Sequence, residues 1–458
     1  MSESSNLSLI FHGGVGSVTG SNFELSDPES NGKRVLVDCG LVQGSQVDPE
    51  ENHKPFVYDP SEIDALFVTH AHLDHIGRIP KLVRDGFRGE IYSTPPTRKM
   101  SELSLFDSLG VMSKEARSSN RELLYQEADV KQALSQWQVI DYHSPVNVGR
   151  LAFHLSNAGH ILGSATVTAK GKGRNVVLTG DLGNDPSVLL PAPEAVTEAD
   201  YMVIESVYGD REHEGQDQRR FHLQRIISET MKAGGTLMIP AFSIERTQEV
   251  LLTIEELMDR SEIPLVPVYL DSPLAIGMTE IYSEYSDYFR HQVRQKADGG
   301  SDIFAFPQLI KTETTEESKF IAGAPARKIV IAGSGMSNGG RILHHEKNYL
   351  PDPKSTLLLV GYQSPGSLGR MLEDGAKTVK IMGETVPVRA KIERISGYSA
   401  HMDSPSLLDY VAESEKTLRK VFVAMGEPKS SLFLVQRIRD YLGVEAIMPR
   451  LGHEEKLK

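Results

Sequence analysis

Short apolar runs separated by Gly, Asp and Pro recur through the first two hundred residues, at 7–11, 34–37, 65–68, 90–92, 151–155, 175–178 and 201–204. Runs of this length, rich in Val and Ile and bounded by turn residues, predict buried strands. Between Pro96 and about Trp137 the chain is instead rich in Lys, Glu, Leu and Arg, with only Gly110 interrupting, which predicts one or two helices. From about Tyr208 to Ala390 the pattern changes to alternation: helices at 216–232 and 244–259, strands at 235–239, 265–270, 328–332 and 356–360. Such alternation predicts βαβ units around a parallel sheet, in a domain of its own. After Lys391 the pattern predicts an amphipathic helix at 404–413, a strand at 420–424 and a helix at 432–442, with no repeat or low-complexity tract along the chain.

Length and composition narrow this picture. The 458 residues suffice for two to four structural units at roughly 150 residues each. With 39% hydrophobic and 24% charged residues, and no apolar window approaching the roughly 18 residues of a membrane span, a membrane protein is excluded. The start, Met1-Ser-Glu-Ser-Ser-Asn6, lacks a basic segment before an apolar stretch, so a cytoplasmic rather than secreted protein is expected. A single cysteine, Cys39, rules out an intrachain disulfide and any Cys-rich zinc module, leaving His and carboxylate as metal donors. The net charge of −13 argues against sequence-independent binding of nucleic acid over the general surface, but not against a local basic cleft.

The chemistry concentrates after the run 64–69, in His70-Ala-His72-Leu-Asp74-His75-Ile-Gly77. Three His and an Asp within six residues, directly behind a strand, can surround one point and supply ligands to two adjacent divalent ions. A polar turn capping a helix would account for Asp74 but not for three clustered imidazoles. His160, in Ala158-Gly-His160, and Asp181, in Thr179-Gly-Asp181, also follow apolar runs. Alone, the first reads as a core or surface histidine and the second as a turn; behind the histidine cluster both become candidate ligands.

These three motifs, in this order and with Asp38 of Leu36-Val-Asp38-Cys-Gly40 ahead of them, resemble the metal-binding motifs of the metallo-β-lactamase superfamily. Glu205-Ser-Val-Tyr-Gly-Asp210-Arg211 and Ser396-Gly-Tyr-Ser-Ala-His401 resemble motifs of its β-CASP branch, the nucleases of RNA processing and DNA repair. Pro240-Ala-Phe-Ser243, Asp271-Ser-Pro-Leu-Ala275, the 333–341 segment and Gly361-Tyr-Gln-Ser-Pro-Gly-Ser-Leu-Gly-Arg370 are similar to segments recurring between them. The resemblance covers nearly the whole chain. It implies an α/β fold: a four-layer αββα metallo-β-lactamase domain from 1–207 and 391–458, with a β-CASP domain inserted at 208–390 and the active site in the groove between them.

Carried over residue by residue, it implies that His70, His72 and His160 bind one zinc, that Asp74 and His75 bind a second, and that Asp181 bridges. A water activated by two cations then attacks phosphorus without a protein nucleophile. Asp74, Glu205 and His401 are the implied catalytic residues: Asp74 orients the attacking water, and Glu205 holds His401 so that it protonates or stabilises the leaving oxygen. In the inserted domain Ser334, Gly335, Arg341, Ser367 and Arg370 are candidates to meet phosphodiester oxygens through backbone N–H groups and guanidinium. The implied substrate is single-stranded RNA, cleaved internally, trimmed 5′ to 3′, or both; the resemblance leaves a homodimer open.

One position departs from the family's pattern. Where the RNA-processing members carry a His in Val-His-Gly-Glu, this chain reads Val423-Ala-Met425-Gly-Glu427. A thioether is a poor zinc ligand beside hard oxygens, so a weaker second metal is expected. Met425 leaves three alternatives to an ordinary two-zinc ribonuclease: a DNA-processing nuclease, a vacancy filled by His453, or an RNA-binding subunit with weakened catalysis. The full set of other metal and acid-base positions favours an active ribonuclease.

Overall fold

The computed structural model describes residues 7–458 apart from 30, 31, 45, 46, 49, 120, 214, 299–301 and 365. The N-terminal hexapeptide and Pro365 of the 361–370 segment therefore lie outside the described residues. The chain divides into two compact units, one built from 1–185, 192–212 and 401–458, the other from 186–191 and 213–400.

In the first unit two seven-stranded sheets face one another. One runs in the order Glu454–Leu457, Leu7–Phe11, Phe23–Asp27, Lys33–Val37, Ala65–Phe67, Glu90–Ser93, Trp137–Val139. The other runs Ala446–Ile447, Lys420–Val423, Tyr201–Ile204, Arg174–Leu178, Ala165–Gly171, Leu151–Asn157, Val146–Val148. The period-two alternation of a strand decides what each residue meets. Val35 and Val37 enter the core between the sheets while Leu36 faces the outer helices; Val203 and Phe422 point inward while Met202 and Val423 point outward. Helices Ile79–Arg84, Pro95–Ser119 and Glu127–Ser135 cover one outer face, and Ser404–Ala412 and Pro428–Arg437 cover the other. The four-layer αββα arrangement is the one expected.

The second unit holds a six-stranded sheet, Leu309–Lys311, Val268–Leu270, Lys328–Ala332, Thr236–Pro240, Thr356–Leu359, Lys391–Arg394, parallel throughout. Its central strands are buried continuous apolar runs, as a sheet covered on both faces requires. The excursion 186–191 is bonded into this unit. Arg219 donates to the Pro186 carbonyl at 2.8 Å, Arg290 to the Ser187 carbonyl at 2.5 Å, and Ser187 Oγ to Glu249 at 3.3 Å. The apolar pattern held no signal for this, because a six-residue segment without regular secondary structure has no period of its own.

Candidate metal centre

The predicted metal and acid-base residues of the first unit lie beyond the carboxyl ends of strands or just before a helix, with Asp74 and His75 inside the short helix Leu73–Ile76. Ala65–Phe67 delivers His70 to His75; Leu151–Asn157 delivers His160; Arg174–Leu178 delivers Asp181; Tyr201–Ile204 delivers Glu205. His401 precedes the helix Ser404–Ala412 and is drawn to Asp181's loop by a bridge to Gly183 and by Met402 N–H donating to the Leu182 carbonyl at 2.8 Å.

Donor atoms of His70, His72, His160 and Asp181 all lie within 4.8 Å of one another, as do those of Asp181, Glu205 and His401. His70 Nε2 is 3.0 Å and His160 Nε2 3.3 Å from His72 Nδ1, so three imidazoles converge on one point. The two oxygens of Asp181 divide between neighbours. Oδ2 is 3.5 Å from both His70 Nε2 and His160 Nε2, and Oδ1 is 3.5 Å from His75 Nε2. His75 Nε2 is also 4.0 Å from Asp74 Oδ2. It is buried without a hydrogen-bond partner, and a buried imidazole nitrogen aimed at two carboxylates is in the position of a ligand. By this test the residues fit a divalent cation.

The far sides of these rings are fixed. Asp38 Oδ2 stands 2.7 Å from His75 Nδ1 and accepts from Thr69 Oγ1 at 2.8 Å; Thr69 Oγ1 in turn is 3.0 Å from His70 Nδ1. A ligand imidazole oriented through its other nitrogen keeps its tautomer and direction. Two glycines pack behind the loops. A Cβ at Gly40 would overlap the Asp74 carbonyl and come within 2.7 Å of His75 N; one at Gly183 would overlap the Gly159 carbonyl and stand 2.8 Å from His160 N. Sequence reasoning assigned neither a role; their place two residues after Asp38 and Asp181 was the available signal.

Electrostatics follow from burial and charge crowding. Burial disfavours the Asp181 carboxylate, but His75 and His401 override it and hold the group well below the usual carboxylate range. For Asp74, burial wins over His75 and its pKa rises. Burial likewise raises Glu205 against the pull of His401. His401 is pushed down by burial, yet Glu205 and Asp181 outweigh that and bring it up to about 9. His401 Nδ1 lies 3.1 Å from Glu205 Oε1, which also accepts from Leu182 N–H at 2.8 Å. Glu205 thus bonds directly to His401 and clamps the ring.

Met425, where a His was expected, is only 1% exposed and belongs to the core between the sheets with Phe11, Phe23 and Phe422. Its sulfur lies 3.8 Å from Ser21 Oγ, which donates to Asp38 Oδ2 at 3.2 Å. His453 pairs instead with Glu455 at 3.2 Å and packs 5.9 Å from the Phe11 ring.

The remaining candidates stand at the carboxyl ends of the second unit's strands. Arg341 donates to Asp271 Oδ1 and the Thr312 carbonyl at 2.8 Å and to the Glu313 carbonyl at 2.7 Å. Its charge is matched by the buried carboxylate of Asp271. Ser367 Oγ accepts from Arg370 N–H at 3.1 Å and caps the helix Leu368–Glu373, and Arg370 pairs with Asp374 at 3.0 Å. Ser334 Oγ accepts from Asn338 N–H at 3.1 Å.

A two-sheet αββα unit with histidines and aspartates converging at its strand ends is the metal-dependent hydrolase arrangement of the metallo-β-lactamase superfamily. Residues 29–187 match the model of the metallo-beta-lactamase superfamily domain, 247–372 the Beta-Casp domain, and 385–449 the Zn-dependent metallo-hydrolase RNA specificity domain. Ribonuclease TTHA0252 of Thermus thermophilus is 38% identical over 97% of this chain and 98% of its own length. An RNase J-like protein of Methanocaldococcus jannaschii is 33% identical over 97% and 98%. Transcription termination factor FttA of Methanosarcina mazei is 33% identical over 94% of this chain and 69% of its own length. A crystal structure of a protein of unknown function from Enterococcus faecalis V583 shares the fold, with TM-score 0.58 at 13% identity over 99% of this chain and 100% of that one. The chain belongs to the β-CASP RNA-processing nucleases of the metallo-β-lactamase superfamily.

Proposed function

We propose that this protein is a cytoplasmic, zinc-dependent ribonuclease that hydrolyses phosphodiester bonds of single-stranded RNA, cutting internally, trimming 5′ to 3′, or both. The observation that carries this reading is the division of Asp181, one oxygen toward His70 and His160 and the other toward His75. His70, His72, His160 and Asp181 would hold one ion; Asp74, His75 and Asp181 would hold a second with fewer donors, because Met425 offers none. Zinc bound there supplies Lewis acidity and a lowered pKa for water. Asp74 would orient the attacking water or take its proton. Glu205, bonded to His401 Nδ1, orients that imidazole and would leave Nε2 to give a proton to the departing oxygen. Ser334 and Gly335 would meet substrate in the second unit. The cytoplasmic setting rests on the single, buried thiol of Cys39, which suits a reducing compartment. Among the described residues no helix is long and apolar enough to cross a membrane.

Metal analysis of purified protein, paired with cleavage of labelled single-stranded RNA and matched DNA, tests this. We expect up to two zincs per chain and preferential RNA cleavage, with Asp74→Ala and His401→Ala inactive but folded. Both variants retaining full activity in metal-defined buffer would refute the assignment. Met425→His should raise occupancy of the second site; unchanged zinc content would show that Met425 does not limit it. RNA bound but left uncut by zinc-loaded protein would favour an RNA-binding subunit instead.

A further inference from the structure

In the parallel sheet of the second unit, the chain leaves Thr236–Pro240 toward Val268–Leu270 on one side and leaves the adjacent strand Thr356–Leu359 toward Lys391–Arg394 on the other. Connections that diverge at the carboxyl ends of neighbouring strands open the crevice where α/β sheets bind ligands. Phe242, two residues beyond Pro240, stands at this edge and is 40% exposed. A single exposed aromatic is ordinary. Its seat is not. A Cβ at Gly335 would lie 2.7 and 2.9 Å from Cδ2 and Cε2 of the ring, and one at Gly361 would lie 3.4 Å from Cε2. One edge of the ring therefore rests against both Gly-rich segments; at Gly335 a side chain would collide with it, while at Gly361 one would meet it in ordinary contact. Gln363 Nε2 ties those segments together by donating to the Gly335 carbonyl at 3.0 Å and the Gly361 carbonyl at 3.2 Å. The Phe242 carbonyl accepts from Thr247 Oγ1 at 2.7 Å, anchoring the turn.

We propose that Phe242 is a stacking platform for one nucleobase of the single-stranded RNA, an inference that rests on the ribonuclease reading above. A ring already held by one edge loses little freedom when a ligand stacks on it. Aromatic stacking accepts any base. The neighbourhood also fits: Gly333 lies where a Cβ would be 3.7 Å from Ser272 Oγ and 3.9 Å from Ser243 Oγ, so hydroxyls able to meet ribose or base edges line the same strand ends. The apolar side chain of a protein partner would be met by these hydroxyls instead of an apolar rim.

The test is fluorescence anisotropy of a short fluorescein-labelled oligoadenylate in EDTA, where binding is read without cleavage, using full-length protein. Phe242→Ala and Phe242→Leu should each weaken binding about tenfold, whereas Phe242→Trp should bind like wild type. The leucine variant keeps bulk on the glycine seat and so separates stacking from folding. An abasic site scanned along the probe should weaken wild-type binding at one position and leave Phe242→Leu indifferent there. Binding by Phe242→Leu within twofold of wild type, with wild type binding and cleaving RNA, would overturn the platform and leave the ribonuclease reading intact. Failure of wild type to bind or cleave any RNA would overturn both.

Discussion

Asp271 shows how one buried residue organises the second unit. It accepts hydrogen bonds from Thr312 at 2.8 Å and Ser318 at 2.7 Å, pairs with Arg341 at 2.8 Å, and lies 2.6 Å from His345 Nε2. Burial alone would raise its pKa, but His345, Ser318, Thr312 and Arg341 prevail and bring it to about 2. A carboxylate depressed in this way stabilises the fold at pH above its ordinary pKa, and that stabilisation is lost as pH falls through about 2. Asp271→Asn should lose on the order of 3 kcal/mol at neutral pH, measured by urea denaturation, and the deficit should shrink in acid. Glu346 is the opposite case: burial, only partly offset by Ser337, raises it to about 8. The folded state then holds a proton that the unfolded chain releases, so stability declines as pH rises from the ordinary carboxyl range to about 8. Glu346→Gln should remove that decline and be the more stable form at pH 8 by at least about 1.4 kcal/mol. Equal denaturation midpoints for variant and wild type at pH 5 and pH 8 would refute this. Asp271 was legible as part of a motif, but Glu346 sits at an unremarked place in Ile342–Tyr349, where only the packed structure reveals its burial.

At the scale of elements, the strands deliver the chemistry and the loops behind them hold it. The histidine cluster was legible because four donors fall within a six-residue stretch just behind a strand, a density that capping does not explain. Gly40 and Gly183 were not, since a glycine beside a motif looks the same whether it turns the chain or lets another backbone approach. Gly183→Ala should force the Gly159–His160 loop away and lower zinc content and RNA cleavage together, with the circular dichroism spectrum of the αββα unit retained. Zinc content equal to wild type would show that the loop yields without moving His160. Arg341 ends a Gly-rich segment and is held by a partner that the segment does not name. The same pattern serves a phosphate or an internal carboxylate, and the partner Asp271 lies seventy residues away in sequence.

Over the whole molecule, the two units should answer metal removal differently. A ligand that binds only the folded state stabilises it by mass action, and the donors lie in the first unit. Hydrogen exchange in chelator should therefore accelerate in the loops at 70–77, 159–163 and 180–183 and remain as in the zinc-loaded protein around Asp271 and His345. Equal acceleration in both places would mean that metal supports the second unit as well. The strand-rich beginning, the alternating middle and the helix, strand and helix between 404 and 442 were legible from periodicity, whereas the closing strands Ala446–Ile447 and Glu454–Leu457 were not. Residues 186–191 crossing into the second unit were not, because they are held by bonds from Arg219, Arg290 and Ser187 rather than by any pattern of their own.

The sequence by itself determined which faces of the strands are apolar, where they stop, and that clustered His and Asp residues stand at the stops, because strand alternation and short-range motifs are written locally. Only the tertiary structure decided that Asp181 turns one oxygen to each side, that Arg341 faces inward, and that Met425 lies in the core beside Ser21. Each of these depends on groups far apart in the chain meeting in a buried, low-dielectric place, where every charge or polar atom must find a partner that no local pattern names.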